Sequence, residues 1–217
     1  EAARLSDSFC LVDQNAKPTR PFDEMLKRLR PSDGVTHCFG YGKPMIGNDG
    51  KVKPHYIEAR ARGVKFDVGH GNNSFSFSMA VPAIEQGFPP DTISTDMHRM
   101  SLHTSRATMT EVMSKFLAIG MPMAEVIARS TWEPAQWINH TELGTLTPGA
   151  PADIAVLEFQ DRPAGLSDSG PTGYRIMKAD GRLITQLTIK DGAVKFDYDG
   201  LSKDDWNETP TTDLNLP

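Results

Sequence analysis

Four residues with the chemistry of a site each close a short apolar run. Asp13 ends "FCLVD", His37 follows "GVT", His70 follows "FDVG" and Asp96 ends "DTISTD". Imidazoles and carboxylates can ligate a divalent metal, and they can carry protons in and out of a reaction. One histidine after an apolar run is most simply a packed or incidental ring. Two histidines and two carboxylates at successive run ends make a shared polar site the better reading, provided those ends are neighbours in space.

That condition rests on the elements between them. Residues 9–12, 34–38, 64–68 and 92–95 read as short buried strands. The first two are separated by "FDEMLKRLR", whose apolar residues at 22, 25, 26 and 29 follow a helical period. "VKPHYIEARARG" predicts a helix closed by Gly63. "SFSFSMAVPAIEQG" alternates at first as a strand does, but its position favours a helix carrying Pro82. Thr108 and Glu111 form a capping box for a helix with Met109, Val112, Met113, Phe116 and Leu117 on one face. Two short helices, "PMAEVIARS" and "EPAQWIN", follow. This alternation predicts parallel strands joined by right-handed crossovers, so that successive strand ends share one rim. Active sites of α/β folds sit there. Beyond residue 140 the pattern changes to β. Asp-Gly pairs at 180–181 and 191–192, each flanked by strand-like runs, predict two hairpins. The tail from 198 is polar, with Trp206 as its one docking anchor.

Composition narrows the partners. The 217 residues carry a formal net charge of -5, which gives no electrostatic reason to bind nucleic acid or an anionic membrane. No run approaches the ~18 apolar residues of a membrane span. Cys10 and Cys38 both lie in apolar runs and read as buried free thiols, consistent with a reducing, cytoplasmic setting. The start, "EAARLSDSF", has neither an initiating Met nor a signal-peptide pattern, so the chain is expected to be a fragment.

"THCF", "FDVGHGNNSFSF", "PDTISTDMH", "MSKFLAIGMPMAEVI" and "LGTLTPGAPADIAVL" together resemble the amidohydrolase superfamily, in its dihydroorotase-like amidohydrolase/deacetylase group, from about residue 6 to about 196. The resemblance implies the C-terminal part of a metal-dependent (β/α)8 barrel. Residues 1–140 would supply strands five to eight, 141–197 part of a composite β-sandwich appendage, and 198–217 a polar tail. It implies one or two Zn²⁺ ions, with other divalent metals open. His37 would be a ligand of the second metal. Asp96 would bind the first and handle the proton. His70, Gly71 and Asn72 would lie near the substrate, a small molecule such as an N-acyl amino acid or related amide.

The departures are as informative. The family's His-x-His is absent from all 217 residues, and a bridging lysine would precede the chain. Asp13 stands where the family has a histidine. A changed metal ligand and a degenerate or truncated site are both open. The implied activity is hydrolysis of amide or cyclic amide C–N bonds by the complete protein, with this chain alone inactive. The alternative is a catalytically inactive remnant or an interaction homologue. Strand edges left by a missing half leave a homo-oligomer open. His98 has a local structural role as its simpler reading, although its place two residues past Asp96 makes it a candidate for substrate binding. His103 and Arg106 are candidates to meet a substrate carboxylate, whereas His55 and His140 read as ordinary.

Overall fold

The computed structural model describes residues 2–13, 19–104, 106–169 and 175–205. A short helix α1 (Ala2–Leu5) leads to β1 (Leu11–Val12), α2 (Phe22–Arg28), β2 (Gly34–Val35), α3 (Pro54–Ala61), β3 (Lys65–Phe66) and α4 (Phe77–Glu85). Four helices follow: α5 (Arg99–Thr104), α6 (Met109–Ala118), α7 (Met123–Ser130) and α8 (Trp132–Trp137). Strands β4 (Ile154–Gln160), β5 (Ala164–Ser167), β6 (Ile176–Ala179), β7 (Arg182–Lys190) and β8 (Ala193–Asp197) complete the order.

The first three strands are parallel and consecutive, with Leu11 opposite Gly34 and Gly34 opposite Lys65. The expected fourth strand is reduced to a parallel bridge between Asp67 and Thr92. Its backbone nevertheless continues the ladder. Val68, His70 and Gly71 donate their N–H groups to the carbonyls of Thr92, Ser94 and Thr95 at 3.1, 3.1 and 2.9 Å. Asp13, His37, His70 and Asp96 therefore follow their strands on one side of the sheet. The apolar residues of these strands and of α2, α3, α4, α6 and α7 form one continuous core, in which Val35, Phe39, Phe66, Phe75 and Phe116 are fully buried.

The helices begin and end where local chemistry dictates. Thr108 accepts a bond from the Glu111 N–H and caps α6. Ser76 does the same for α4 through Ser78, and Pro82 lies inside that helix. Two expectations are corrected. Cys10 is exposed, because β1 is the outer strand of its sheet; Cys38 is buried, and both thiols are free. The two Asp-Gly pairs also differ. Asp191 and Gly192 have φ of 51° and 74°, as a type I′ turn requires, and join β7 to β8. Asp180 and Gly181 do not join a pair: β6 pairs with β5 and β7 with β4. Gly181 instead permits a close crossing, since a Cβ there would collide with the Phe159 ring. Trp206 lies outside the described residues. No helix among them is long and apolar enough to cross a membrane.

Candidate functional site

His37 and Asp96 leave their strands in an uncommon conformation. Their φ values are +59° and +44°, in the left-handed region that costs an L-residue about 1 kcal/mol or more. Such strain persists where the surroundings impose it. Here two glycines make room. Gly69 and Gly71 also have positive φ, and a Cβ on Gly69 would overlap the Thr36 hydroxyl and press on the His37 ring. A Cβ on Gly71 would come within 2.7 Å of Asp96 Oδ2. The "GHG" segment thus lets the two polar side chains approach across it.

The tautomer of His37 follows from its partner. Its Nδ1 lies 2.5 Å from the Gly69 carbonyl oxygen, which can only accept, so Nδ1 carries the proton. Nε2 is the nitrogen that faces outward, 3.6 Å from Asp13 Oδ1 and 3.9 Å from Asp96 Oδ2. The ring is mostly buried, with 13% of its side chain exposed, whereas Asp13 and Asp96 are 62% and 48% exposed. Asp13 and His37 line a cavity of about 350 Å³ with Tyr41, Lys43, Asn73 and Ser74.

A buried hydroxyl network holds this rim. Asp67, a carboxylate inside the third apolar run, accepts from Thr36 at 2.8 Å, Thr92 at 2.6 Å and Ser94 at 2.7 Å. It ties β2, β3 and the fourth segment together one step below the site. Ser94 in turn accepts from the Gly69 N–H at 3.0 Å.

His70 is placed in a different setting. Its ring is fully buried and stacks on Phe75 at 5.0 Å. Nδ1–H donates to the Gly71 carbonyl at 3.0 Å, and Nε2 accepts from Lys115 Nζ at 2.7 Å. Burial, reinforced by the Lys115 ammonium, pushes the His70 pKa down to about 3. Burial also lowers Lys115 to about 8, against the opposing pull of Glu111 and Asp168. Both ring nitrogens are engaged by other parts of the chain. The C-terminal β region closes over the same loop. Ser169 donates to the His70 and Phe75 carbonyls at 3.2 Å and accepts from the Phe75 N–H at 2.9 Å. Asp168 faces Tyr41 at 3.4 Å.

The other expected residues fall around this frame. Gly71 packs against Asp96, but the cavity is lined by Asn73 and Ser74, with Asn72 beside them. His98 is exposed, and its backbone exchanges bonds with the Ser101 hydroxyl at the start of α5, which gives it a local structural role. His103 and Arg106 are exposed and line no described cavity that contains His37. Lys43, Asp67, Lys115, Asp168 and Ser169 escaped the sequence reading. Asp67 left a signal, a carboxylate in the middle of "KFDVG". So did Lys115, which lies three residues from Val112 on the apolar face of α6.

A zinc fit can be tested on the donor spacing. Two ligands at about 2.1 Å from a tetrahedral ion lie about 3.4 Å apart. The His37–Asp13 and His37–Asp96 separations are of that order, and the Nδ1 bond leaves Nε2 free to ligate. Yet no group of three or more His, Cys, Asp or Glu among the described residues could hold a metal ion. The fit is that of a partial donor set, with pairs at ligand spacing and no closed cage.

Comparison with known proteins identifies the family. A sequence model of the amidohydrolase family matches residues 76–195, more than half of the chain. A deacetylase of Brucella anthropi is 36% identical over 154 residues, covering 70% of this chain and 38% of that protein. The crystal structure of an adenine deaminase superposes with a TM-score of 0.78 at 30% identity, over 86% of this chain and 50% of that one. That of a dihydroorotase gives 0.75 at 28% identity, over 88% and 51%. The chain spans between 38% and 41% of the length of the curated deacetylases it matches.

Proposed function

The chain belongs to the amidohydrolase family, and on that footing we propose that the protein it forms part of hydrolyses an amide C–N bond, removing an acyl group from a small N-acylated substrate. The observation that carries this reading is the approach of His37 and Asp96, both in left-handed conformations at strand ends on either side of β3, with His37 Nε2 directed between two carboxylates. The names of the curated relatives favour a deacetylase. In this reading residues 1–140 are barrel strands five to eight with their helices, and 141–197 belong to the β appendage.

Zinc, bound in the whole protein with His37 and Asp96 among its ligands, would supply Lewis-acid polarisation of the scissile carbonyl. The chain's own residues do the rest. Asp96, about half exposed at the rim, accepts a proton from the attacking water as its oxygen bonds to the carbonyl carbon. The same proton passes to the amide nitrogen as the C–N bond breaks, and the second water proton, left on the new carboxylic acid, then passes to the amine, giving a carboxylate and an ammonium. Gly69 holds the His37 tautomer through its carbonyl. His70 acts through position: it and Lys115 fix the loop on which Gly71 makes room for Asp96. Asp13 supplies a second carboxylate beside Nε2.

The test is Asp96→Asn in the full-length protein, assayed on N-acetylated amino acids at matched zinc occupancy. Loss of general acid–base catalysis should lower turnover about 10²–10⁴-fold. Normal turnover at full zinc would remove Asp96 from the mechanism. A second reading, a non-catalytic homologue, is favoured by the lack of a three-ligand cluster among the described residues. It predicts no turnover in the full-length wild type even with saturating zinc.

A further inference from the structure

Lys43 is a buried cation whose one carboxylate neighbour among the described residues, Asp13, stands at the long limit of an ion pair, 4.0 Å from its ammonium. Its side chain is 2% exposed, yet it lines the same cavity as Asp13 and His37. Among the described residues its ammonium makes one hydrogen bond, to the Thr36 carbonyl at 3.0 Å. Asp13 Oδ1 stands 4.0 Å away, beyond hydrogen-bond distance, and is itself largely solvated. Buried charges are normally paired and hydrogen-bonded, because removing them from water is otherwise costly. The residue is also fixed rather than free. Its carbonyl accepts from the buried Tyr56 hydroxyl at 2.7 Å, and its ammonium lies 5.7 Å from the centre of the Phe22 ring.

The geometry points to Lys43 as the residue that reads a carboxylate on the substrate, making N-acyl amino acids the preferred class over neutral amides. This inference rests on the rim being an amide-hydrolysing site. The placement suits such a substrate. Lys43 Nζ and His37 Nε2 both lie within 4.0 Å of the same oxygen, Asp13 Oδ1. An α-carboxylate is likewise held one carbon away from the amide nitrogen. An ammonium then supplies the second half of a charge-assisted pair in a sheltered cavity. His103 and Arg106, the other cations weighed for this role, are exposed and do not line it.

The experiment compares N-acetylglycine with N-acetylglycinamide, which differ only at the carboxylate, by calorimetric titration of the full-length protein. The wild type should bind the acid about tenfold more tightly or better, and Lys43→Met should reduce that ratio to near one while its affinity for the amide stays within about twofold. The Lys43 side-chain NMR resonances of the wild type should shift on addition of the acid and not of the amide, a readout independent of how the variant folds. Equal binding of the two probes by the wild type, a ratio that survives in Lys43→Met, or an unmoved Lys43 resonance would overturn the assignment. Binding of the acid through Lys43 without turnover of any amide would sink the hydrolase reading alone. Turnover of neutral amides with no carboxylate preference would sink the Lys43 assignment alone.

Discussion

His37 and His70 follow neighbouring strands of one sheet, yet the regions they occupy work in opposite ways. Around His37 the backbone is strained, the carboxylates are partly solvated, and one ring nitrogen is left open between them. Around His70 the ring is sealed between Phe75 and Lys115, both nitrogens are bonded, and Ser169, from the C-terminal β region, clamps the main chain. Their position along the strands does not separate them, since each is a histidine at the end of a short apolar run. What separates them is the third dimension. His37 is held by a carbonyl from the next strand, whereas His70 is met by a lysine 45 residues farther along the chain. The first region leaves one ring nitrogen open, and the second keeps a loop in place.

This contrast predicts unequal costs of truncation. His70→Ala leaves a cavity beside Phe75 and a buried Lys115 ammonium without its acceptor, and should destabilise the full-length protein by about 3–5 kcal/mol. His37→Ala should cost less, about 1 kcal/mol, because it leaves no buried charge without an acceptor, while the alanine keeps the same left-handed backbone. Urea unfolding of both variants measures the difference. Equal costs would erase the distinction between the two regions.

Acid should reveal the same asymmetry. In the folded protein burial and Lys115 depress the His70 pKa to about 3, whereas the unfolded chain protonates near 6.5. The unfolded state therefore takes up the proton first, and stability falls as pH drops through the window from about 6.5 towards 3. Asp33 behaves as a carboxylate held by the Arg30 guanidinium and by the N–H groups of Arg30 and Cys10, with a pKa of about 2. Its contribution, about 2 kcal/mol, is present above pH 4 and is lost only as pH falls towards 2. Denaturant midpoints measured from pH 7 to pH 4 should decline in the wild type and much less in His70→Phe. A parallel decline in both would show that another group drives it.

The smallest effect concerns the loop between the two regions. Gly71→Ala must adopt a φ of +49° and place a methyl group against Asp96. It should lower stability by about 1–2 kcal/mol, and lower turnover by more than that loss of folded protein explains. A variant with full turnover would show that Asp96 tolerates displacement.

Much of the sheet was legible in the sequence, because strand and helix periods are local. The runs at 9–12, 34–38 and 64–68 each contain a strand, though the paired cores are only two residues long, and 92–95 keeps its direction without a regular ladder. The strand-end rule located Asp13, His37 and Asp96 together. It could not see inside the rim. Lys43 matters through where Thr36 and Asp13 lie, Lys115 through His70, and Ser169 through a loop 94 residues earlier. None of those pairings leaves a periodic trace. The Asp-Gly pair at 180–181 misled for a related reason. The dipeptide is favoured in a hairpin, but here the glycine serves the crossing beneath Phe159, and strand partners are chosen by the sheets on either side.

The central claim, that His37 faces the reaction while His70 supports it from behind, is tested most directly by zinc content. Full-length wild type, His37→Asn and His70→Asn would be dialysed against a weak chelator, and bound zinc measured per folded molecule. The account predicts that His37→Asn loses zinc relative to wild type and that folded His70→Asn retains the wild-type amount. Zinc lost from folded His70→Asn and kept in His37→Asn would contradict it.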